Sequence, residues 1–152
     1  MAFTTAWKPE YSVNVPELDQ QHQWLFQIVQ DLERAIAGGH GQAEVERILS
    51  NLVQYTMYHF ATEEELLQKH GFPGVNEHRI EHNQMTMKIS RLQDQHRDGK
   101  ADAAETLLVF LQSWLKQHIL ESDKQYSEFF RSRAVGRVAG SGKKPEDVAG
   151  PS

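Results

Sequence analysis

The chain of 152 residues contains no cysteine, five prolines and no long apolar run. Without cysteine it forms no disulfide, iron–sulfur cluster or zinc–thiolate site, and it has no thiol nucleophile. No segment approaches the roughly 20 apolar residues of a membrane span, and the N-terminus lacks the basic and apolar regions of a signal peptide. A formal net charge of −5 argues against nucleic acid or an anionic membrane as partner. These absences are compatible with a cytoplasmic protein of one domain.

Four long segments carry apolar residues at steps of three and four, which is the pattern of amphipathic helices. Asp19 or a neighbour is expected to begin the first helix after Pro16, and glycine-containing turns separate the others. The predicted helices span about 18–38, 42–69, 75–97 and 101–133. Short connections between long helices favour antiparallel neighbours, so the sequence predicts an all-α, up-down-up-down four-helix bundle.

Both ends of the chain lie outside this pattern. Residues 1–17 hold Trp7, Tyr11 and Val13 among polar residues, which predicts an extended N-terminal arm packed on the bundle. Residues 134–152 are rich in glycine, proline and charge, which predicts a disordered tail. The folded domain is therefore expected to span residues 1–133.

Histidines and carboxylates interrupt the apolar stripe of every predicted helix. Three short motifs carry most of them: HFATE, HRIEH and HILESD. The full set is His22, His59, Glu63, His78, His82, His118 and Asp123. A single histidine on an apolar face is usually a hydrogen-bonded core residue. Polar side chains on four inward faces are costly unless they share partners or a metal, so we interpret them as one metal site rather than a metal-free core.

The positions of these residues along the helices agree with a shared site. His22 and His59 lie 18 and 19 residues from a chain reversal near residue 40, and His82 and His118 each lie 18 residues from a reversal near residue 100. Because each helical residue rises about 1.5 Å, all seven side chains can fall in one slab about two turns thick.

The local spacings have separate meanings. His78 and His82 are i,i+4 neighbours that can bind one ion, and His59 with Glu63 has the same spacing. Asp123 follows His118 by five residues, so at about 3.6 residues per turn it lies off the ideal face. A locally widened turn, or π-bulge, would return it to the site.

Five imidazoles with two carboxylates suit two iron ions bridged by the carboxylates, although zinc or manganese shares these ligand preferences. Oxygen-activating diiron bundles use four carboxylates and Glu-x-x-His pairs instead. The segment GVNEHRIEH contains only adjacent pairs, Glu77-His78 and Glu81-His82. An imidazole-rich site favours reversible binding of dioxygen over oxidation of a substrate.

Residues 7–130 resemble the hemerythrin family, specifically its single-domain bacterial members, in the segments WKPEYSVNVPELDQQH, HFATEE, HRIEH and WLKQHILESD. The resemblance implies that His78, His82 and His118 bind one of two non-haem iron ions, and that His22 and His59 bind the other. It further implies that Glu63 and Asp123 bridge the ions together with a solvent-derived oxo or hydroxo group. Dioxygen would then bind at the ion with fewer protein ligands.

Other polar residues are expected to stay outside the site. We predict solvated or capping roles for His40, His70 and His96, and a solvated face for Glu64 and Glu65. Four apolar residues lie one turn from a predicted ligand and are expected to form a dry pocket around the open iron position. They are Leu25, Phe26, Trp114 and Leu115.

The leading functional prediction is a non-enzymatic oxygen-binding protein that acts as carrier, store or supplier to an oxygen-consuming enzyme. An oxygen or redox sensor with a signalling partner is the first alternative. A peroxide- or nitric-oxide-handling diiron enzyme is the second, disfavoured because the inward faces carry no extra general acid or base. Iron storage is disfavoured because one site holds only two ions.

Overall fold

The computed structural model describes residues 6–131, which form long helices and short connections without a strand in that range. Helix α1 is Pro16–Ala37, α2 is Gln42–Lys69 and α3 is Val75–Arg97. The fourth long helix is composite, with α4 at Ala103–His118, a π-helical segment at Ile119–Asp123 and α5 at Lys124–Arg131. The predicted four-helix bundle is confirmed. The predicted helix end at 133 and the tail at 134–152 lie outside the described residues.

Contacts between α1 and α2, α2 and α3, α3 and α4, and α4 and α1 close the bundle into a ring. The turns after α1, α2 and α3 place Gly39, Gly71 and Gly99 at φ values of 70°, 71° and 86°, where a side chain would be strained. In the last turn the N–H of Lys100 donates to the carbonyl of Gln95 at 3.0 Å, which ends the helix sharply. Such tight turns set the heights of neighbouring helices against one another.

Helix α1 begins at Pro16, whose constrained φ suits the first helical position. The prediction that Asp19 or a neighbour begins it after Pro16 is wrong, because Pro16 itself is the first helical residue. The Asp19 carboxylate instead accepts hydrogen bonds from the Val13 N–H at 2.8 Å and the Ser12 hydroxyl at 2.5 Å, so it holds the preceding arm against α1. The described part of that arm is also not fully extended, since Pro9–Tyr11 forms one 3-10 turn.

The N-terminal arm packs on the bundle as predicted. Tyr11 and Val15 are buried, and the Tyr11 ring stacks on Phe26 at 5.6 Å between centroids. The Lys124 ammonium donates to the carbonyl of Ser12 at 2.7 Å. The arm therefore joins α1 to α5, directly beside the π-helical segment.

Apolar groups fill the bundle on both sides of its polar centre. On the side of the α1–α2 and α3–α4 turns, each long helix contributes fully buried residues, including Leu32, Leu49, Ile89 and Leu107. At the other end Tyr126 and Phe130 are buried, and Phe72 contacts the edge of Tyr126. Within residues 6–131, none of the helices combines the length and the apolar character that crossing a bilayer demands.

Candidate metal centre

All seven predicted side chains converge in the middle of the bundle. Each is buried, with at most 6% of its surface exposed. The potential ligand atoms of Glu63, His78, His82 and His118 lie within 4.8 Å of one another, and so do those of His22, His59 and Glu63. Two overlapping groups therefore meet at the carboxylate of Glu63.

The two oxygens of Glu63 face different imidazoles. Oε1 lies 2.5 Å from Nε2 of His78 and 3.0 Å from Nε2 of His82. Oε2 lies 3.3 Å from Nε2 of His59 and 3.7 Å from Nε2 of His22. The carboxylate is thus divided between two histidine groups contributed by opposite sides of the bundle.

Asp123 divides its oxygens in the same way. Oδ1 lies 2.9 Å from Nε2 of His78 and 3.1 Å from Nε2 of His118, whereas Oδ2 lies 3.2 Å from Nε2 of His22. Both carboxylates therefore span the same two groups, which is the arrangement that a pair of bridged cations requires.

The π-helical segment explains how Asp123 reaches the site. It starts one residue after His118 and ends at Asp123, so the widened turn falls between the two residues. Both side chains are buried on the inward face. The predicted π-bulge is confirmed, and without it Asp123 would lie off that face by geometry alone.

Three imidazoles direct their outer nitrogen to an oxygen that only accepts hydrogen bonds. The pairs are His59 Nδ1 with Gln21 Oε1 at 2.8 Å, His82 Nδ1 with Glu64 Oε2 at 2.7 Å, and His118 Nδ1 with Glu81 Oε1 at 3.2 Å. Because these oxygens accept, each Nδ1 carries the proton in the neutral ring, and the lone pair on Nε2 points into the centre. This is the tautomer that binds a metal through Nε2.

Several inward atoms have no hydrogen-bond partner despite being buried. They are Nε2 of His22, His82 and His118, and both oxygens of Asp123. Leaving such atoms unpaired is costly, and a metal ion would satisfy them together. The donor set, its burial and its lone-pair directions therefore fit a pair of cations.

The protonation behaviour of the cluster shows how strongly it attracts positive charge. Burial lowers the pKa of His22 and of His78, but the adjacent carboxylates of Asp123 and Glu63 outweigh it and raise these pKa values to about 9 and about 10. At His59 burial prevails, with the charge of His22 adding to it, and lowers the pKa to about 4. Metal ions would compete with the protons that the carboxylates hold on the imidazoles.

Two predictions about neighbouring residues are wrong. Glu64 is not simply solvated, because its carboxylate accepts a hydrogen bond from Nδ1 of His82. Glu65 is exposed, as expected. His96 is also buried, and its Nδ1 donates to Glu46 at 3.0 Å. His40 is exposed and His70 occupies the C-cap of α2, as predicted.

Residues in contact with the cluster also include some that the sequence reasoning missed. The buried hydroxyl of Tyr126 donates to Oε2 of Glu63 at 2.8 Å. Gln21 and Glu81 are adjacent in the chain to predicted ligands, and that adjacency was their only signal. Tyr126 lies three residues after Asp123, a spacing that places neighbours on one helix face.

A small apolar cavity lies about one helical turn from the cluster. Leu25, Trp114 and Leu115 line it as predicted, together with Phe60 and Thr56. The placement of Phe26 in this pocket is wrong. Its ring lies outside, stacked on Tyr11, because it projects from α1 toward the arm.

The geometry agrees with comparisons to known proteins. The family model described as "Hemerythrin HHE cation binding domain" matches residues 13–130. The chain belongs to the hemerythrin family. It is 32% identical over 126 residues to a bacteriohemerythrin of Methylococcus capsulatus, covering 83% of this chain and 95% of that protein. It is 30% identical to a myohemerythrin of Riftia pachyptila, over 79% of this chain and 88% of that protein.

Hemerythrin structures also share the fold. A wild-type hemerythrin crystal structure superposes with a TM-score of 0.76 at 30% identity, over 86% of this chain and 98% of that one. A hemerythrin mutant superposes with a TM-score of 0.79 over the same share of this chain. The hemerythrin resemblance inferred from the four motif segments is confirmed.

Proposed function

We propose that this hemerythrin-family chain holds two non-haem iron ions and binds dioxygen reversibly, as a carrier, store or supplier of oxygen and without turning over a substrate. The division of both carboxylates between two histidine groups carries this proposal. One oxygen of Glu63 and one of Asp123 face each group, at 2.5 to 3.7 Å from the imidazole nitrogens. A single ion would leave half of these oxygens unused.

The proposed ligands follow the two groups. His78, His82 and His118 would hold one ion, His22 and His59 would hold the other, and Glu63 and Asp123 would contribute an oxygen to each. Mixed imidazole and carboxylate ligands suit iron. The second position has one protein ligand fewer, which leaves room for dioxygen.

Two bound ferrous ions would supply the electrons for reversible binding of dioxygen. The chain's own contribution is to exclude water and protons. The cavity beside the cluster is lined almost wholly by apolar side chains, including Leu25, Phe60 and Leu115. Such a wall slows the escape of charged oxygen species and the entry of protons.

Tyr126 holds the shared carboxylate of Glu63 in place. Burial raises its pKa, and the nearby charges of Asp123 and Glu63 raise it further, so it lies well above the usual value of 10. In the metal-free protein the hydroxyl therefore keeps its proton and donates a hydrogen bond to Glu63.

The decisive experiment cycles the reduced, iron-loaded protein through addition and removal of dioxygen, followed by absorption and resonance Raman spectroscopy. We expect about two irons per chain, and a vibration that shifts with isotopically labelled dioxygen and disappears on its removal. Irreversible oxidation at first exposure would contradict reversible binding and favour a sensor or a peroxide-handling enzyme. A folded protein that takes up no metal would refute the diiron site itself.

The role of the cavity is tested with Leu115→Ser. This change places a hydroxyl and free volume in the apolar wall, so autoxidation should accelerate while iron content stays the same. Val109→Ser is the matched control, because Val109 is on the same helix and 66% exposed. Equal autoxidation rates in the two variants would contradict a protective role of the wall.

A further inference from the structure

The hydrogen-bond partners behind the imidazoles differ between the two halves of the centre. Behind the group formed by His78, His82 and His118, two rings donate to carboxylates, Glu64 and Glu81. The other group is His22 and His59. There one ring donates to a neutral amide oxygen, and Nδ1 of His22 is buried without a partner. The outer surroundings of the two groups thus differ by two negative charges.

Both carboxylates are held in place by further contacts. Glu81 accepts a second hydrogen bond from the hydroxyl of Ser122 at 2.6 Å, and Ser122 belongs to the same π-helical segment that delivers Asp123. Glu64 lies 3.5 Å from Nε of Arg79, which offsets part of its charge without displacing it from His82. The π-helical segment therefore supports the three-histidine group at two points.

Aromatic rings add a second difference. Phe60 stacks on His82 with centroids 3.7 Å apart and planes within 5°, and Trp114 stacks on His118 at 4.3 Å and 11°. Each of these imidazoles is thus restrained at its face and at its outer nitrogen. His59 instead meets His22 edge-on at 4.6 Å and Phe60 at a tilt.

A carboxylate that accepts the outer N–H of an imidazole increases the basicity of the ring and fixes its orientation. Preorganised ligands also lose less freedom when a metal binds. Both effects favour the three-histidine group beyond what its extra ligand provides. The amide of Gln21 orients His59 but adds no charge.

Building on the two-ion site proposed above, we propose that Glu64 and Glu81 are positioning residues that make the His78–His82–His118 position the tightly held one. Gln21 correspondingly leaves the His22–His59 position weaker and more readily exchanged. The centre would then keep one ion permanently and load the second last.

The test uses zinc as a redox-silent probe, so that it is independent of oxygen chemistry. Protein loaded with zinc is challenged with chelators of increasing strength, and the zinc retained is counted. We expect two separate steps, of which His59→Ala removes the weaker. Glu64→Gln and Glu81→Gln should each weaken the tighter step by about 10–100-fold, the range typical of such outer partners.

The reverse substitution makes the test independent of damage to the fold. Gln21→Glu supplies a carboxylate behind His59 and should tighten the weaker step by about 10-fold or more. Glu65→Gln, beside Glu64 but exposed, is the matched control and should change neither step.

Three outcomes would overturn the inference: equal weakening of both steps, weakening of the weaker step alone, or no change in the glutamate variants. Uptake of only one zinc per chain by the unmodified protein, measured before any chelator is added, would instead refute the proposed two-ion site. The stoichiometry is read before any variant is made, so the two failures are distinguishable.

Discussion

The Tyr126 hydroxyl provides a sharp test of the packing around the shared carboxylate. It is fully buried and donates to Oε2 of Glu63 at 2.8 Å. Tyr126→Phe keeps the ring, which packs against Phe72 and Phe130, and removes only this donor. The expected loss is therefore one hydrogen bond to a charged group in a dry environment.

Such a bond contributes about 1.5–3 kcal/mol. For a chain of this size, each kcal/mol shifts the melting temperature by roughly 2–4 °C. We therefore expect Tyr126→Phe to melt about 3–12 °C lower than the parent protein in the metal-free form. In the metal-loaded form a chelator should also remove metal faster, because Glu63 is less firmly held.

Thermal melting followed by circular dichroism measures the first effect. Tyr11→Phe is the control, since that ring is also buried but stacks on Phe26, away from the cluster carboxylates. Equal melting temperatures for the two variants, with unchanged metal release, would refute the view that Tyr126 secures Glu63.

Three further predictions concern the ligands, the C-terminal residues and pH. His118→Ala should lose most of its iron by elemental analysis, whereas His70→Ala should retain it; equal loss would contradict the proposed ligands. Deleting residues 134–152 should leave iron content unchanged, because we propose that the domain ends at 133; loss of iron would show otherwise. Burial raises the pKa of Glu63, but hydrogen bonds from imidazoles outweigh it, so the pKa lies well below the usual 4.5. The stability that charged Glu63 gives the metal-free protein is therefore complete above about pH 4.5 and lost as the pH falls through the lower pKa. Urea denaturation across this range measures it, and a Glu63→Gln variant with the same acid sensitivity would contradict it.

The sequence was informative wherever local geometry decides the outcome. Helical periodicity and glycine turns located α2 and α3 at the observed residues, Gln42–Lys69 and Val75–Arg97. The five-residue step from His118 to Asp123 predicted the π-bulge, because the pitch of a helix makes that step incompatible with one face. Each of these inferences uses only the relation of a residue to its neighbours along one helix.

Failures occurred where a residue's role depends on another helix. The position of Glu64 off the inward stripe of α2 predicts a solvated side chain, yet the packing of α3 brings Nδ1 of His82 within 2.7 Å of its carboxylate. For His96 the expectation is a solvated or capping role, but in the bundle its Nδ1 donates a hydrogen bond to Glu46 of α2. The sequence position of Phe26, one turn from a ligand, predicts that it lines the pocket, but its ring stacks on Tyr11 of the arm instead.

The class of fold, the seven polar side chains and their common height follow from the order of residues alone, because a helix converts residue number into height and direction. Two features emerge only when the helices pack together. Glu63 and Asp123 divide their oxygens between two histidine groups, and carboxylates support one group while an amide supports the other. Those features depend on how far each helix is rotated about its axis and how closely its neighbours approach. Packing of the whole bundle sets the rotation and the approach of each helix, and neither can be predicted from the periodicity of a single helix.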